Sequence, residues 1–455
     1  MSELPVVVVG AGPIGLAAAA QLRERGLTPL VFERGETAGA AVSQWNHVRV
    51  FSRWAELVDP AARRLLEPTG WTAPDANTYP TGREWANDYL IPLANALGDR
   101  VQLSTEVVGV ARRGRDRVVD AGRDTEPLSV HIRHADGTED RLLARAVIDA
   151  SGTWGVPNPL GGEGLPALGE TASAAVITYR VPDLDDESVR ARYAGQHTVI
   201  AGSGHSALTA IIALTDLAKT APGTRISWVL RRGEVGSTFG GGDADELPAR
   251  GALGLRAKQA LDNGLLNVVT GFHTAAIEPA DASHALVSDA GQRIEGVDQV
   301  VVLTGFRPDL TWLSELRLAL DPVLQAPVEL APLIDPNVHS CGTVYPHGVK
   351  ELSHPEPGVF LAGMKSYGRA PTFLAMTGYE QVRSIAASLA GDHESAARVE
   401  LTLPDTGVCG GAGVFDDPES GSSGGCCAAP AGPQELSLSA PSALQDLTLT
   451  VPSTR

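Results

Sequence analysis

Three glycines near the start of the chain have the spacing that binds the diphosphate of a dinucleotide. Gly10, Gly12 and Gly15 follow four consecutive valines and precede an alanine-rich run, which predicts a buried strand, a tight turn and a helix. In such a turn Gly10 permits the bend, Gly12 lets a diphosphate approach the backbone, and Gly15 lets the helix pack close to the strand. Glu33 ends the next predicted strand, where a carboxylate can accept hydrogen bonds from ribose hydroxyls. We therefore predict a dinucleotide site here, and a glycine turn that serves only packing is the alternative.

A second turn of the same kind lies in the middle of the chain. Gly202 and Gly204 follow an apolar strand and Ser206 lies at the start of a predicted helix, with the spacing G-x-G-x-x-A. The next predicted strand ends in Arg231 and Arg232 instead of an acid. Two guanidinium groups suit the 2′-phosphate of NADP better than the free ribose of NAD. A solvated strand end is the alternative for this arginine pair.

Residues 45–54 combine aromatic and charged side chains at high density. The stretch contains two tryptophans and two arginines, whose planar groups suit a flavin ring and its charged neighbours. We take Trp45 from this stretch, and Arg34 directly after Glu33, as candidates for contact with the cofactor. A strand and turn with ordinary core aromatics is the alternative.

Further buried strands must bring small residues to the same two sites. Gly152, the pair Thr304 and Gly305, and Gly363 each follow a short apolar run. Ligands of open parallel sheets bind outside the carboxyl ends of the strands, so we expect these residues to contact the cofactors. The alternation of strands and helices predicts an α/β fold with two Rossmann-like three-layer domains.

The composition limits the class of partner. The chain has 455 residues, a formal net charge of −18 and 43% hydrophobic residues. This charge argues against nucleic acid or an anionic membrane as the main partner, and no apolar run is long enough to span a bilayer. We expect a cytoplasmic protein, because no signal peptide precedes the first strand. The expected ligand is a small-molecule substrate, and a homodimer is left open.

Together, the two glycine turns and the stretches 150–154 and 303–309 resemble flavoproteins with two dinucleotide-binding domains, and most of all the flavin-containing monooxygenases. The resemblance covers residues 4–390. It implies that FAD binds at the first turn and NADPH at an inserted second one. The implied division is an FAD-binding domain at 1–160 and 306–395, an NADPH-binding domain at 161–305, and a flexible cysteine-containing tail at 396–455.

The chain departs from that family pattern at two places. The family carries a Gly-Asp pair beside the flavin ribityl chain, whereas Gly363 is followed here by Met364. The F-x-G-x-x-x-H motif of flavin monooxygenases and Baeyer–Villiger enzymes is absent, and Tyr179 stands near the position of its histidine. The chain also resembles flavoproteins found with bacterial arsenic-resistance functions.

The resemblance implies that NADPH passes hydride to the flavin and that a C4a-peroxyflavin then oxidises a small soft nucleophile. Arg49 and Arg53 are our candidates for stabilising the negative charge of that species, and Asn46 for donating a hydrogen bond to it. Two hypotheses compete with the monooxygenase. One is a flavin-dependent disulfide or quinone reductase, and the other is a non-enzymatic flavoprotein that senses metalloids or redox state.

The cysteines lie mostly in the tail. A Gly- and Ser-rich stretch separates Cys409 from the adjacent pair Cys426 and Cys427, and it would let the three thiolates converge on a soft centre such as trivalent arsenic. Unused surface thiols are the alternative. In the core we predict no metal. His339, Cys341, His347 and His354 fall within one Pro- and Gly-rich stretch, which we interpret as a loop with scattered histidines, and a metal site is the alternative.

Overall fold

Four valines at Val6–Val9 form the central strand of a parallel sheet, because branched side chains suit a strand that is covered on both faces. The structure is a computed structural model that describes residues 3–240, 242, 245, 247–338, 345–371 and 373–401. All strand pairs of this first sheet are parallel. In spatial order the strands are Val359–Leu361, Ala146–Asp149, Val6–Val9, Pro29–Phe32 and Val101–Gln102.

The two faces of the first sheet pack against different layers. Val6 and Val8 belong to a core shared with helices, whereas Val7 and Val9 face a three-stranded antiparallel sheet, as the alternation of a strand requires. The antiparallel strands are Thr105–Arg112, Leu128–His134 and Glu139–Ala144. The helices of this half are Pro13–Glu24, Ala40–Ser43, Trp54–Leu57, Pro60–Leu66, Gly82–Trp85, the π-helical Ala86–Leu90, Ile91–Leu97, Ala331–Ile334, Ala375–Leu389 and His393–Ala397.

The second sheet repeats this architecture. Ile200 packs with helices, and Val199 and Ala201 pack with a second three-stranded antiparallel sheet. The parallel strands are, in spatial order, Asn267–Val269, Arg225–Val229, His197–Ala201, Gln299–Val302 and Ile177–Thr178. The antiparallel strands are Thr274–Ala280, Ser283–Ser288 and Arg293–Val297, and the helices are Glu187–Tyr193, His205–Thr220 and Pro248–Asp262. Short 3₁₀ helices lie at Glu67–Thr69, Gly98–Arg100, Ala174–Val176, Gly236–Phe239, Thr311–Leu313 and Gly363–Tyr367.

The predicted α/β class with two Rossmann-like three-layer domains is therefore confirmed. Each parallel sheet lies between a helical layer and an antiparallel sheet. None of the helices among the described residues is long and apolar enough to cross a bilayer.

The start of the predicted tail packs against the last long helix. Arg383 donates a hydrogen bond to the carbonyl of Ser395 at 2.8 Å, and the Ser384 hydroxyl donates one to the carbonyl of Ala396 at 2.6 Å. Residues 396–401 are thus joined to helix Ala375–Leu389. Cys409, Cys426 and Cys427, like His339 and Cys341, lie outside the described residues.

A buried carboxylate joins the first antiparallel sheet to the last strand of the first parallel sheet. Glu356 Oε1 accepts hydrogen bonds from Arg112 Nε and Nη2 at 2.9 and 2.7 Å, and Glu356 Oε2 accepts one from Arg123 at 2.6 Å. The Arg317 backbone N–H adds a bond to Oε2 at 3.1 Å. All three charged side chains are buried, so each relies on the others to replace its hydration.

We predict that Glu356→Gln lowers the free energy of unfolding by about 3 kcal/mol, because it leaves two buried guanidinium groups without their counter-charge. Urea denaturation of the purified variant measures this change. Glu106→Gln is the matched control, since Glu106 pairs with Arg133 on the exposed side of the same antiparallel sheet and should change stability little. Equal destabilisation by the two substitutions would contradict the prediction.

Candidate functional site

A cleft of about 1680 Å³ lies at the carboxyl ends of both parallel sheets. Both predicted glycine turns line it, the first through Gly10 and Gly12 and the second through Gly202 and Gly204. This is where open parallel sheets bind their ligands, because the chain crosses from strand to helix there and leaves backbone N–H groups facing the cleft.

The first glycine turn leaves no room for side chains at two of its three glycines. Gly10 has φ +99°, and a Cβ on it would lie 2.9 Å from the carbonyl oxygen of Ala150. A Cβ on Gly15 would lie 1.9 Å from the carbonyl oxygen of Gly10. Gly12 is different, since a Cβ there would have nothing within 4 Å and its φ of −81° suits any residue. Gly10 and Gly15 therefore serve packing, and Gly12 borders open space at the start of helix Pro13–Glu24.

Glu33 holds this turn in place. Its Oε2 accepts a hydrogen bond from the Ala11 N–H at 2.8 Å, and its Oε1 accepts one from the Gly35 N–H at 2.8 Å. An ionised carboxylate has about four acceptor sites, so both oxygens can also accept bonds from ribose hydroxyls. Glu33 lines the cleft, as the sequence predicts, and it also fixes the backbone on both sides of itself.

The second glycine turn repeats the geometry of the first. Gly202 has φ +130°, and a Cβ on it would lie 2.3 Å from the carbonyl oxygen of Leu303, whereas a Cβ on Gly204 would meet nothing within 4 Å. Ser206, Arg231 and Arg232 also line the cleft. Arg231 donates a hydrogen bond to the carbonyl of Gly162 at 3.2 Å, which uses one of its five N–H groups.

Both turns fit a dinucleotide. Each presents a cradle at Gly12 or Gly204 that a side chain would otherwise fill, at the N-terminus of a helix whose first N–H groups have no intrahelical partner. Among the residues that the structure describes, eight arginines and six carboxylates line the cleft, although the whole chain carries a formal net charge of −18. Two anionic diphosphates would thus meet a locally cationic surface.

The remaining predicted cofactor residues also line the cleft. Thr304 and Gly305 lie where the chain leaves the second domain, and Asn158 secures this point by donating a bond from its side chain to the Thr304 carbonyl at 2.8 Å. The Gly363 N–H donates to Gln381 Oε1 at 2.7 Å, and a Cβ on Gly363 would lie 3.0 Å from Ile14. The members of this group found on the cleft wall are Arg34, Trp45, Gly152, Thr304, Gly305 and Gly363.

The three predicted catalytic residues do not come together. Arg49 lines the cleft, where it donates to the Tyr79 carbonyl and lies 3.6 Å from Glu84. Arg53 instead pairs with Glu56 at 3.1 Å, and neither Asn46 nor Arg53 is among the residues that line the cleft. The catalytic roles of all three remain predictions.

A buried lysine behind the cleft wall was not predicted. Lys365 Nζ lies 3.3 Å from Asp149 Oδ2 and donates to the Ser151 hydroxyl at 3.0 Å, and that hydroxyl donates to Asp149 Oδ1 at 2.6 Å. Lys365 and Asp149 are buried, and Ser151 lines the cleft. The sequence offered one signal for this pair. Asp149 ends an otherwise apolar strand, and a buried acid needs a cationic partner.

Tyr179 contributes to the cleft in a way that the sequence left open. Its hydroxyl donates to Glu170 Oε1 at 2.6 Å, and the buried Glu170 also accepts from the N–H groups of Leu160 and Ala167 at 2.9 and 2.7 Å. Burial raises the pKa of Tyr179 above its ordinary value, and the hydrogen bond to Glu170 raises it further. Tyr179 therefore stays neutral and bonds Glu170, which in turn anchors the backbone on both sides of the glycine-rich loop 161–164 that lines the cleft.

Comparisons with known proteins agree with this architecture. Residues 7–328 match the family described as pyridine nucleotide-disulphide oxidoreductase. The chain is similar to the bacillithiol disulfide reductase Bdr from Bacillus cereus, with 20% identity, a TM-score of 0.62 and coverage of 85% of this chain and 99% of that one. It is also similar to a flavin-containing monooxygenase from Stenotrophomonas maltophilia, with 22% identity, a TM-score of 0.53 and coverage of 86% and 99%. At these identities the structural similarity shows the fold alone, and no curated protein matches the sequence.

Proteins of the matched family use FAD and NAD(P)H. The prediction of a flavin and a nicotinamide dinucleotide as cofactors is therefore confirmed. The preference for the 2′-phosphate, and the role of each residue on the cleft wall, remain predictions.

We predict that Gly12→Val and Gly204→Val give folded proteins with opposite defects. Both positions have open space and an ordinary φ, so a valine should disturb only a ligand that approaches the backbone. Gly12→Val should be purified without flavin, whereas Gly204→Val should retain FAD but lose its reduction by NADPH. Absorption spectra before and after anaerobic addition of NADPH separate the two, and each variant is the control for the other. Full flavin retention by Gly12→Val would contradict the assignment.

We also predict that replacing Arg231 and Arg232 with alanine weakens NADPH binding and leaves NADH binding nearly unchanged. A charge-assisted bond to the 2′-phosphate contributes about 1.5–3 kcal/mol, so the Michaelis constant for NADPH should rise by about ten- to a hundredfold. Steady-state kinetics with both nucleotides measure the difference. A similar rise for NADH would show that the arginines maintain the fold of the cleft and do not read the phosphate.

Proposed function

Because the chain belongs to the pyridine nucleotide-disulphide oxidoreductase family, we propose that it is an FAD-dependent enzyme that uses NADPH to oxygenate a small soft nucleophile. The resemblance of the sequence motifs to flavin-containing monooxygenases favours oxygenation, and the cysteine content argues against a dithiol relay within the two domains. Cys341 is the only cysteine before residue 409, so the two domains hold no pair of thiols that could pass electrons to a disulfide partner. A small acceptor must then react within the cleft.

Bound FAD would supply the chemistry that carries two electrons from NADPH to oxygen or to another small acceptor. The chain's own residues bind and orient the cofactors at Gly12 and Gly204. Apolar rings on part of the cleft wall would help them to exclude water once the cofactors are bound. Trp154 packs against Phe306 with ring centroids 4.7 Å apart, and its indole N–H donates to Gln44 at 2.8 Å, which holds the ring in one orientation. Oxygenation needs such a water-poor site.

Arg49 supports the proposal through its position. It is the one of the three predicted catalytic residues on the cleft wall, and its guanidinium group would stabilise negative charge on reduced oxygen. A trivalent arsenical remains our proposed substrate within the class of soft nucleophiles. That finer proposal rests on the thiols of Cys409, Cys426 and Cys427 and on their preference for soft centres.

A reductase for a small disulfide is the second candidate. It is favoured by the name of the matched family and by the similarity to bacillithiol disulfide reductase, whose TM-score of 0.62 exceeds the 0.53 of the flavin-containing monooxygenase. A small disulfide could enter a cleft of about 1680 Å³ without any thiol on the protein. The two candidates differ in whether oxygen is consumed.

The test follows NADPH oxidation and oxygen consumption together in the purified full chain with FAD. A monooxygenase should oxidise NADPH in air when a trivalent arsenical or a thioether is added, consume oxygen in equal amount, and stop under nitrogen. Equal NADPH oxidation under nitrogen with a small disulfide would identify the reductase instead. Failure with every acceptor would favour the non-enzymatic sensor.

A further inference from the structure

Two of the arginines on the cleft wall have no role in the site described above. Of the eight cleft arginines among the described residues, three pair with a carboxylate within 4.0 Å, and three more are predicted to contact the cofactors. The paired arginines are Arg49, Arg250 and Arg256, and the predicted cofactor contacts are Arg34, Arg231 and Arg232. The remaining two are Arg307 and Arg369, and no carboxylate in the described part of the chain pairs with either.

Hydrogen bonds to uncharged groups hold Arg307 on the cleft wall. Its Nε donates to Asn158 Oδ1 at 2.6 Å, and its Nη2 donates to the carbonyl of Gly164 at 2.6 Å. These bonds use two of the five N–H groups of the guanidinium, so three are left for a ligand. The charge of Arg307 therefore has a fixed position, and its two partners are both neutral.

The backbone at Arg369 is also fixed. Its N–H donates to the Leu324 carbonyl at 2.7 Å. The preceding Gly368 has φ +58°, and a Cβ on it would lie 2.0 Å from the same carbonyl oxygen. Arg369 itself is exposed on the cleft wall, and its guanidinium has no hydrogen bond or ion pair with any described residue. This group is therefore accessible to a ligand in the cleft.

The two guanidinium groups affect each other. Burial lowers the pKa of Arg307 below its ordinary value, and the positive charge of Arg369 lowers it further. Neighbouring cations repel each other, and water screens this repulsion less in a partly enclosed cleft than on an open surface. A bound anion would offset the repulsion, and a carboxylate matches the planar fork of a guanidinium group.

Apolar residues flank Arg369 on the cleft wall. Arg369 lies on the segment that begins at Gly363, a predicted contact of the flavin, and leads to helix Ala375–Leu389. Phe373 on this segment packs against Tyr367, with ring centroids 5.0 Å apart and 80° between the ring planes. The apolar residues that line the cleft here are Leu324, Ala370, Pro371, Phe373 and Leu374. A ligand held by Arg369 would thus place an apolar part against this wall.

We propose that Arg307 and Arg369 bind a carboxylate of the substrate, so that the enzyme acts on a small anionic molecule with an apolar part that carries sulfur or arsenic. Neither arginine belongs to a glycine turn or to the end of the strand that follows it, where the dinucleotides are expected. The inference rests on the proposed function, because it names the substrate class of the same cleft. It applies to an oxygenated thioether or arsenical and to a reduced disulfide alike.

The test measures binding to the oxidised holoenzyme without NADPH by isothermal titration calorimetry. The probes are two matched pairs, (methylthio)acetate with (methylthio)acetamide and dithiodiglycolate with its diamide. In the unmodified enzyme each carboxylate should bind about tenfold more tightly than its amide, because the amide offers no charge to the guanidinium groups. The KM values of the same probes in turnover with NADPH should show the same preference.

Arg369→Gln should raise the Kd of each carboxylate by about ten- to a hundredfold, because it removes a charge-assisted hydrogen bond, and should leave the Kd of each amide nearly unchanged. Arg369→Lys keeps the charge without the planar fork and should have a smaller effect. FAD content and the KM for NADPH should stay as in the unmodified enzyme. Arg256→Gln is the matched control, since Arg256 lines the same cleft but pairs with Asp216, and it should leave the preference for the carboxylates unchanged.

The outcomes separate the inference from the proposed function. Equal binding of carboxylate and amide to the unmodified enzyme overturns the inference without any substitution. An equal rise for both probes in Arg369→Gln overturns it, because the side chain then only shapes the cleft. A loss of FAD or a higher KM for NADPH in this variant overturns it as well, because the arginine then serves a cofactor. An unmodified enzyme that oxidises NADPH with no acceptor of either class overturns the proposed function, and calorimetry still shows whether the cleft binds the anion.

Discussion

The site depends on two places where the backbone at the end of one strand lies so close to the backbone of a neighbouring strand that no side chain fits between them. A Cβ on Gly10 would lie 2.9 Å from the Ala150 carbonyl oxygen, and one on Gly202 would lie 2.3 Å from that of Leu303. At both places the backbone has positive φ, which glycine adopts without strain. The strand ends therefore converge, and the adjacent Gly12 and Gly204 border open space. A larger residue at Gly10 or Gly202 would separate the strands and displace the helix start that faces the diphosphate.

Hydrogen bonds of polar side chains hold the segments between the two domains in place beside the cleft. Asn158 bonds the Thr304 carbonyl and accepts a bond from Arg307 Nε at 2.6 Å, which joins the outgoing and returning chain segments between the domains. Glu170 and Tyr179 fix the loop that lies between these segments and Arg231. Such bonds are directional, so they determine orientation where apolar packing alone would allow small shifts. These bonds also fix the side chains of Arg307 and Arg231 on the cleft wall.

The cleft wall differs from the chain as a whole in its balance of charge. The whole chain has a formal net charge of −18, whereas arginines outnumber carboxylates among the described residues of the cleft wall, where we expect the anionic cofactors to bind. Behind the wall, Lys365 and Asp149 neutralise each other beneath Ser151, so a buried cation lies close to the cleft without an unpaired charge. Gly363 is followed by Met364 and not by the acid of the family pattern. Lys365, two residues after Gly363, donates a hydrogen bond to Ser151 on the cleft wall.

Local sequence was sufficient for the features whose cause is local. Four valines, a glycine spacing and the residue that ends the following strand determine a strand, a turn and a helix, and so both dinucleotide turns and the α/β class were predictable. The proximity of His47 to Asp183, the pairing of Lys365 with Asp149 and the separation of Arg53 from the cleft were not predictable. These features depend on how loops that are distant in sequence pack over the strand ends. No periodic pattern in the sequence predicts the distances between side chains on such loops. The sequence by itself determined the two glycine turns and the α/β class, because the glycine spacing and the apolar runs that specify strand, turn and helix are local. Only the tertiary structure decided which side chains share the cleft, because these hydrogen bonds and charge pairs join residues that are far apart in sequence.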